Sequence, residues 1–401
     1  MRGETLKTTA GVGLSQNTGD SYRAGVEAAN AAKARLTGPF PLAVVFMTEQ
    51  FGEQKAIEGI RSVTGDTPLV GCTAPSLICN GKIYQDGLGV AIIESDTLKV
   101  SVGVSDNLSQ DARETGRQLG VLASTVEVPQ GQPKNQVLLA FADASMTKGV
   151  VTDALYEAFR EFGSSFRFFG GGSADNLHFK KSVQILNDQV HRDAITGALI
   201  TSDSPQGISL RHGWEPTGRN LVVTKADGKT VKELDGQPAL KLYMNSLGED
   251  VQKFDFSQFY GFASGHPLGI PMATGEYIVR DPLSASAEDN SITFVSEVPE
   301  NSIVRIMTGS KESLLAASSE AASEAKEALD GKSPALILIA DCVSRLLYLG
   351  DDAQTEISTI GTRLGGDVPM LGFFSFGEIG IEKGGPPALY NKTCGVYVLP
   401  E

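Results

Sequence analysis

The chain has 401 residues, 41% of them hydrophobic and 20% charged, with a formal net charge of −14. That make-up fits a globular protein long enough for two domains, and the acidic balance excludes binding to a phosphate backbone, which needs clustered Lys and Arg. No apolar stretch reaches bilayer length, and Met1-Arg2-Gly3-Glu4-Thr5 lacks the apolar core of a signal peptide, so a cytoplasmic protein with no nucleic-acid or membrane partner is expected.

In chain order, three units of one pattern are read near 6–94, 98–201 and 303–399. Each opens on a strand: Leu6-Lys7-Thr8-Thr9-Ala10-Gly11, then Leu98-Lys99-Val100-Ser101, then Ile303-Val304-Arg305-Ile306. A helix follows. Next comes a continuous apolar run of strand length (43–46, 137–141 and 335–340), which predicts a strand buried on both faces. A second helix leads to an eight-residue phrase that opens on Gly, closes on Ile or Leu and carries a small hydroxyl residue. The phrases are residues 71–78, 170–177 and 372–379. Glycine there lets the backbone approach a neighbour that a Cβ would keep away. Each unit closes on a strand pair. The expectation is an α/β protein of repeated strand-helix-strand-helix-turn-strand units, forming mixed sheets in two domains.

Helix starts are placed after Ser109, with Asp111 and Glu114 in the first turn, and after Ser310, whose Ala- and Glu-rich helix is expected to run to Leu329 with Gly331 beyond it. Between the second and third units, 206–300 differs in character. It holds the only Trp, an Asp227-Gly228 hairpin signal, a helix opening at Asp235-Gly236-Gln237-Pro238, an aromatic stretch at 254–262 and a strand at Tyr277-Ile278-Val279-Arg280. The four cysteines show no zinc spacing. Cys342 and Cys394 read as small buried hydrophobes, and Cys72, in the first Gly-turn, as a packed or a more exposed thiol.

Gly71-Cys72-Thr73, Gly171-Gly172-Ser173-Ala174, His212-Gly213-Trp214, Leu234-Asp235-Gly236, Pro267-Leu268-Gly269-Ile270, Arg280-Asp281-Pro282 and Gly377-Glu378-Ile379 occur in this order, and in that order the chain resembles the FIST family. The resemblance covers nearly all of the chain, as a FIST N-like part (1–205) and a FIST C-like part (206–401). It implies a sensory domain of intracellular signal transduction, fused in bacteria to output modules, with small-molecule ligands such as amino acids. Some stand-alone members are similar to haem proteins that sense nitric oxide and act on a partner histidine kinase. The first Gly-turn departs from the family's Gly-Glu ending by holding Ser76-Leu77. The chain closes at Glu401 soon after its last strand, so a signal is expected to pass through a separate protein.

The candidate ligand site is read as Glu378, Arg280, Ser375, Gly377, Ser173, Phe374 and Trp214. Glu378, on a turn crowded by Phe373, Phe374 and Phe376, either holds a cationic group, or caps a neighbouring helix or binds backbone amides of another turn. Arg280 either clamps a carboxylate or forms a salt bridge with Asp281 or a nearby Glu. Together they suit an amino-acid-like ligand, held without catalysis and without a cofactor. Haem b is the alternative, with His212 as axial ligand; His178 and His191 are further candidates, and His266 reads as structural. A second alternative is a hydrolase using Ser173 or Cys72. No Walker A loop, dinucleotide fingerprint or H-E-x-x-H motif is present.

Overall fold

The computed structural model describes residues 7–122, 135–144, 151–162, 166–381 and 385–401; Leu6, expected at the head of the first strand, lies outside them. The architecture is mixed α/β, with three mixed sheets and a fourth, antiparallel one. At the heart of each mixed sheet two almost wholly buried strands run parallel: Leu42–Met47 with Leu69–Thr73, Asn135–Asp143 with Phe166–Ser173, and Pro334–Cys342 with Met370–Ser375. The apolar runs therefore lie where continuous hydrophobicity places them, covered on both faces.

The opening glycine of each Gly-phrase sits in this pair for a steric reason. A Cβ on Gly71 would lie 1.8 Å from the Val45 carbonyl oxygen, and one on Gly170 would lie 1.9 Å from that of Ala140. Antiparallel neighbours complete the pattern. Leu88–Glu94 pairs with both Leu42–Met47 and Thr9–Ser15; Ala194–Ser202 pairs with both Asn135–Asp143 and Lys99–Asp106. In the third sheet Cys394–Pro400 pairs with Pro334–Cys342 and Gly207–Arg211.

That last pairing corrects the expected third unit. Ile303–Thr308, expected to open it, belongs to the fourth sheet between Glu215–Asp227 and Leu268–Pro271. Gly207–Arg211 takes the edge of the third sheet instead, about a hundred residues earlier in the chain. Two local signals also resolve. Ser310 caps Lys311–Glu327 through a capping box, whereas Ala112–Gly120 is capped by Asp111, and Ser109 donates to Asp193. The Asp227-Gly228 turn makes the expected hairpin, with Gly228 at φ +57°.

Each mixed sheet is finished by strands from another unit. After the first Gly-turn, Leu77–Cys79 crosses to pair with Met370–Ser375 of the third sheet. After the second, Gln184–Leu186 pairs with Leu69–Thr73 of the first. After the third, Glu378–Gly380 pairs with Phe166–Ser173 of the second. The inner faces of the three sheets share one core, at whose centre Phe46, Phe141 and Phe373 meet with ring centroids 4.4–5.8 Å apart. Helix pairs cover the outer faces, among them Ser21–Lys33 with Glu53–Thr64 over the first sheet. The fourth sheet packs its own core against Ala239–Ser246 and Phe259–Ala263.

Substitution Gly71→Ala must push the two central strands of the first sheet apart, because the clash is with main chain. A loss of about 3 kcal/mol or more is expected in denaturant unfolding; a loss below about 1 kcal/mol would show that the strands have slack at this point.

Candidate functional site

The three Gly-turns meet, and they meet one another. Ala174 N–H donates to Thr73 O, Phe376 N–H to Gly172 O, Gly172 N–H to Gly377 O, and Phe374 N–H to Ser76 O, at 2.7–3.0 Å. These bonds close a ring of main chain around the point where the sheets exchange strands. Gly377 holds φ at +110°, a conformation that favours glycine. The loop after the second turn is gathered by Asp175, whose carboxylate accepts four backbone N–H groups, from His178 to Lys181. Burial raises the pKa of that carboxyl, and the four donors outweigh burial and hold it below its usual range.

Beside the ring, between the second and third turns, lies a cavity of about 180 Å³. Its apolar wall includes Leu177 and Phe179 from the second-turn loop, Phe376 from the third turn, Leu283 and Val295 from the fourth sheet's segment, and Leu347. Phe179 stacks on Phe376 with centroids 4.4 Å apart. Leu177 and Leu347 stand at 38% and 48% exposure. Polar side chains underlie this wall: Asp281, Cys342, Ser344, Ser375, Asn391 and the Tyr260 phenol.

Asp281 is buried, and Lys392 Nζ lies 3.1 Å from its Oδ1, outside hydrogen-bond geometry. Burial pushes this carboxyl up, while Lys392 and Ser344 pull the other way. The Lys392 ammonium also sits 4.9 Å from the centre of the Trp214 ring. Ser344 Oγ contacts Cys342 Sγ at 3.2 Å, and burial pushes the Cys342 thiol up.

One layer deeper, Glu378 is fully buried. Its Oε1 lies 2.6 Å from Ser375 Oγ and its Oε2 accepts the Thr393 N–H at 3.0 Å. Ser375 Oγ also reaches Asp341 O at 3.2 Å. One hydroxyl proton cannot serve both acceptors; both contacts are satisfied when Glu378 carries a proton and donates to Ser375. Burial pushes Glu378 up to about 8, in keeping with that form. Below it, Arg345 is wholly buried, ion-paired to Glu356 and to Asp341 (3.2 Å), and donates to the carbonyls of His212 and Leu314. Asp341, Glu356 and Cys394 bring donor atoms within 4.8 Å of one another, and Arg345 supplies the cation of that cluster.

Of the residues proposed from sequence, Ser375 lines the cavity. Glu378 is consumed by Ser375 and a backbone amide of another turn. Arg280 forms no pair with Asp281: it donates to the carbonyls of Glu297, Val279 and Leu389 and lines a separate cavity with Lys229 and Glu297. Burial lowers its pKa to about 10. Phe374 is buried in the core under the third sheet's helices. Trp214 packs on Tyr348 and lines another cleft, reaching the cavity floor only through Lys392. Ser173 is fixed in the interior by Ala142 O and Gln184 Nε2. Cys72 is fully buried and its thiol is pushed up by burial, which answers the open question of its exposure. His266 is structural, its Nδ1 at 3.0 Å from Phe262 O. His178 and His191 face Glu49 and Asp106.

The His212 region does not fit haem. Its Nδ1 accepts the Trp214 N–H at 2.9 Å, which leaves the proton on Nε2 and no lone pair there for iron. Burial lowers its pKa to about 4, and the cleft around it is charged, with Arg211, Glu276 and Glu320.

Sequence reasoning missed Tyr260, Asp281, Ser344, Asn391 and Lys392 as a group. Asp281 stood in a quoted motif, but only as the presumed partner of Arg280. Lys392 sits at φ +58°, which no residue pattern announced.

A family model described as the FIST N domain matches residues 41–237, and one described as the FIST C domain matches 239–381. The chain belongs to the FIST family. FIST domains are associated with signal transduction and ligand sensing. The chain is 26% identical to the uncharacterized protein MJ1623 of Methanocaldococcus jannaschii over 75% of its own length and 60% of that protein's, so it spans less than two thirds of that relative. It is 25% identical to the uncharacterized protein Mb0898c of Mycobacterium bovis over 97% of this chain and 98% of that one. Among solved structures, cyanuric acid hydrolase from A. caulinodans overlaps 49% of this chain and 71% of its own at 11% identity and a TM-score of 0.29, a likeness too slight to carry any argument. The cavity wall draws on both FIST domains, Leu177 and Phe179 from the N domain and the rest from the C domain. Among the described residues no helix is long and apolar enough to cross a membrane.

The folded state favours the protonated form of Glu378, whereas the unfolded chain ionises it near its ordinary value of 4.5. Its contribution to stability is therefore full below about pH 4.5, falls as pH rises towards 8, and is flat above that. Glu378→Gln removes this dependence. The Tm of the variant relative to wild type should rise between pH 5 and 8 and level off beyond; a constant difference would mean that Glu378 is ionised throughout.

Proposed function

We propose that this FIST protein is a non-catalytic sensory protein of intracellular signal transduction that binds a small molecule in the cavity between its second and third Gly-turns. The observation that carries this reading is the origin of the cavity wall. A molecule seated there touches the second-turn loop of the N domain, the third turn, and the segment that ends in Asp281, so its binding free energy bears on how the two domains hold together.

The wall favours a largely apolar body. The amino-acid-like ligand expected from sequence finds no carboxylate clamp here, since Arg280 is spent on backbone carbonyls elsewhere. The hydrolase alternative has little support: Ser173 and Cys72 are both locked in the interior, and burial disfavours the thiolate. A separate signalling protein, such as a histidine kinase, is the natural recipient of a signal from a chain whose own domains hold the ligand.

A thermal-shift screen of small metabolites tests this. A true ligand at about 100 times its Kd should stabilise the protein by about 2.7 kcal/mol, and Val295→Trp, which adds bulk to a lining residue, should abolish the shift. The ligand should be recovered chemically unchanged after long incubation. Hits that bind Val295→Trp as well as wild type would place the site elsewhere, and consumption of the ligand would make the protein an enzyme.

A further inference from the structure

The cavity floor is more specific than its wall. A buried carboxylate oxygen without a hydrogen-bond partner is costly, and in folded proteins such an atom ordinarily meets a donor. Asp281 Oδ1 is such an atom: Asp281 is 2% exposed, lines the cavity, and meets Lys392 only as an ion pair out of hydrogen-bond line. Tyr260 lines the same cavity. It lies within range of the charges of Asp281 and Cys342. Burial first, and then those charges, push the phenol up, so it stays protonated and is a donor. A carboxylate oxygen without a hydrogen-bond partner and a protonated phenol thus line one cavity beneath an apolar wall.

The ligand's charge follows from Lys392. The Asp281 carboxylate already faces an ammonium, and the two together are neutral. An ammonium-bearing ligand would place a second buried cation beside the first. A carboxylate-bearing ligand would add an anion beside Asp281, with Arg280 directed away. Burying an unbalanced charge costs several kcal/mol, so an uncharged head is favoured. An uncharged group that offers a donor and an acceptor side by side is an amide.

Resting on the proposed cavity, we infer that the ligand is an uncharged amide, a primary carboxamide or a lactam carried on a small apolar body, with its N–H on Asp281 and its C=O on Tyr260. The volume suits one ring: apolar cavities of about 150 Å³ accept benzene, and this one is about 180 Å³. The Phe179–Phe376 stack supplies a flat wall for it.

A matched series separates head from body. Benzamide, benzylamine, benzoate and toluene share a ring and differ in the head, and each is titrated by calorimetry and thermal shift against wild type, Tyr260→Phe and Val295→Trp. Benzamide is expected to bind at least tenfold more tightly than the other three. Tyr260→Phe, which keeps the ring and the Asp281–Lys392 pair, should weaken benzamide about tenfold and leave toluene unchanged. Toluene binding as well as benzamide, with Tyr260→Phe moving neither, would overturn the head-group inference while leaving the cavity as the site. Benzylamine or benzoate as the tightest probe would overturn it in favour of a charged head. Binding by none of the four would overturn it too, and a hit from the wider screen that Val295→Trp abolishes would then preserve the cavity itself.

Discussion

A sheet edge with no neighbour leaves a row of N–H and C=O groups unpaired. In this protein the three mixed sheets remove part of that cost for one another: the strand after each Gly-turn leaves its own sheet and completes the next. Most of the molecule follows from that exchange. It brings the three turns to one place and lets their main chains bond in a ring. It requires a glycine where each turn's first strand presses on its parallel partner, as at Gly71 and Gly170. It also makes the boundary between the FIST N and FIST C domains a division of sequence rather than of packing, because each contributes strands to the other's sheets.

The electrostatic interior depends on the same crossing. Glu378 begins the exchanged strand Glu378–Gly380, so its carboxyl is carried into the core rather than to a solvated turn. There it is stable chiefly as an acid, bonded to Ser375. Arg345, a few residues beyond the central strand of the third sheet, serves two buried carboxyls and several carbonyls at once. A buried guanidinium that donates to the carbonyls of Leu314, His212 and Lys392 ties together Lys311–Glu327, the Lys392 turn and the cavity floor. Removing any one partner would strand charge in a low-dielectric region.

The parts of the fold legible in the sequence were those set by local chemistry. Continuous apolar runs marked the parallel strands, Ser310 marked a helix start, Asp227-Gly228 marked a hairpin, and the ordered motifs pointed to the family. What was not legible was long-range. Nothing in Ile303–Thr308 distinguishes it as a strand of the fourth sheet, and nothing in Gly207–Arg211 announces that it completes the third; the two are separated by the whole inserted segment and have similar apolar make-up. The site suffered in the same way. Glu378 and Arg280 stood out because charge beside aromatic or strand residues is conspicuous, yet burial turned both towards backbone partners. Tyr260, Asp281, Ser344, Asn391 and Lys392 share no spacing, and only the packing of the fourth sheet's segment against the third turn makes them neighbours.

The order in which strands leave the ribosome gives the exchange one more meaning. The first sheet has all its strands once residue 191 has emerged, but the second lacks two until Tyr390 and the third lacks an inner one until Cys394–Pro400. A nascent chain halted just before Glu378 would hold one finished sheet, a second with an open edge and a third with an open gap. Such an intermediate exposes surface that invites association, a hazard that passes when Cys394–Pro400 enters the third sheet.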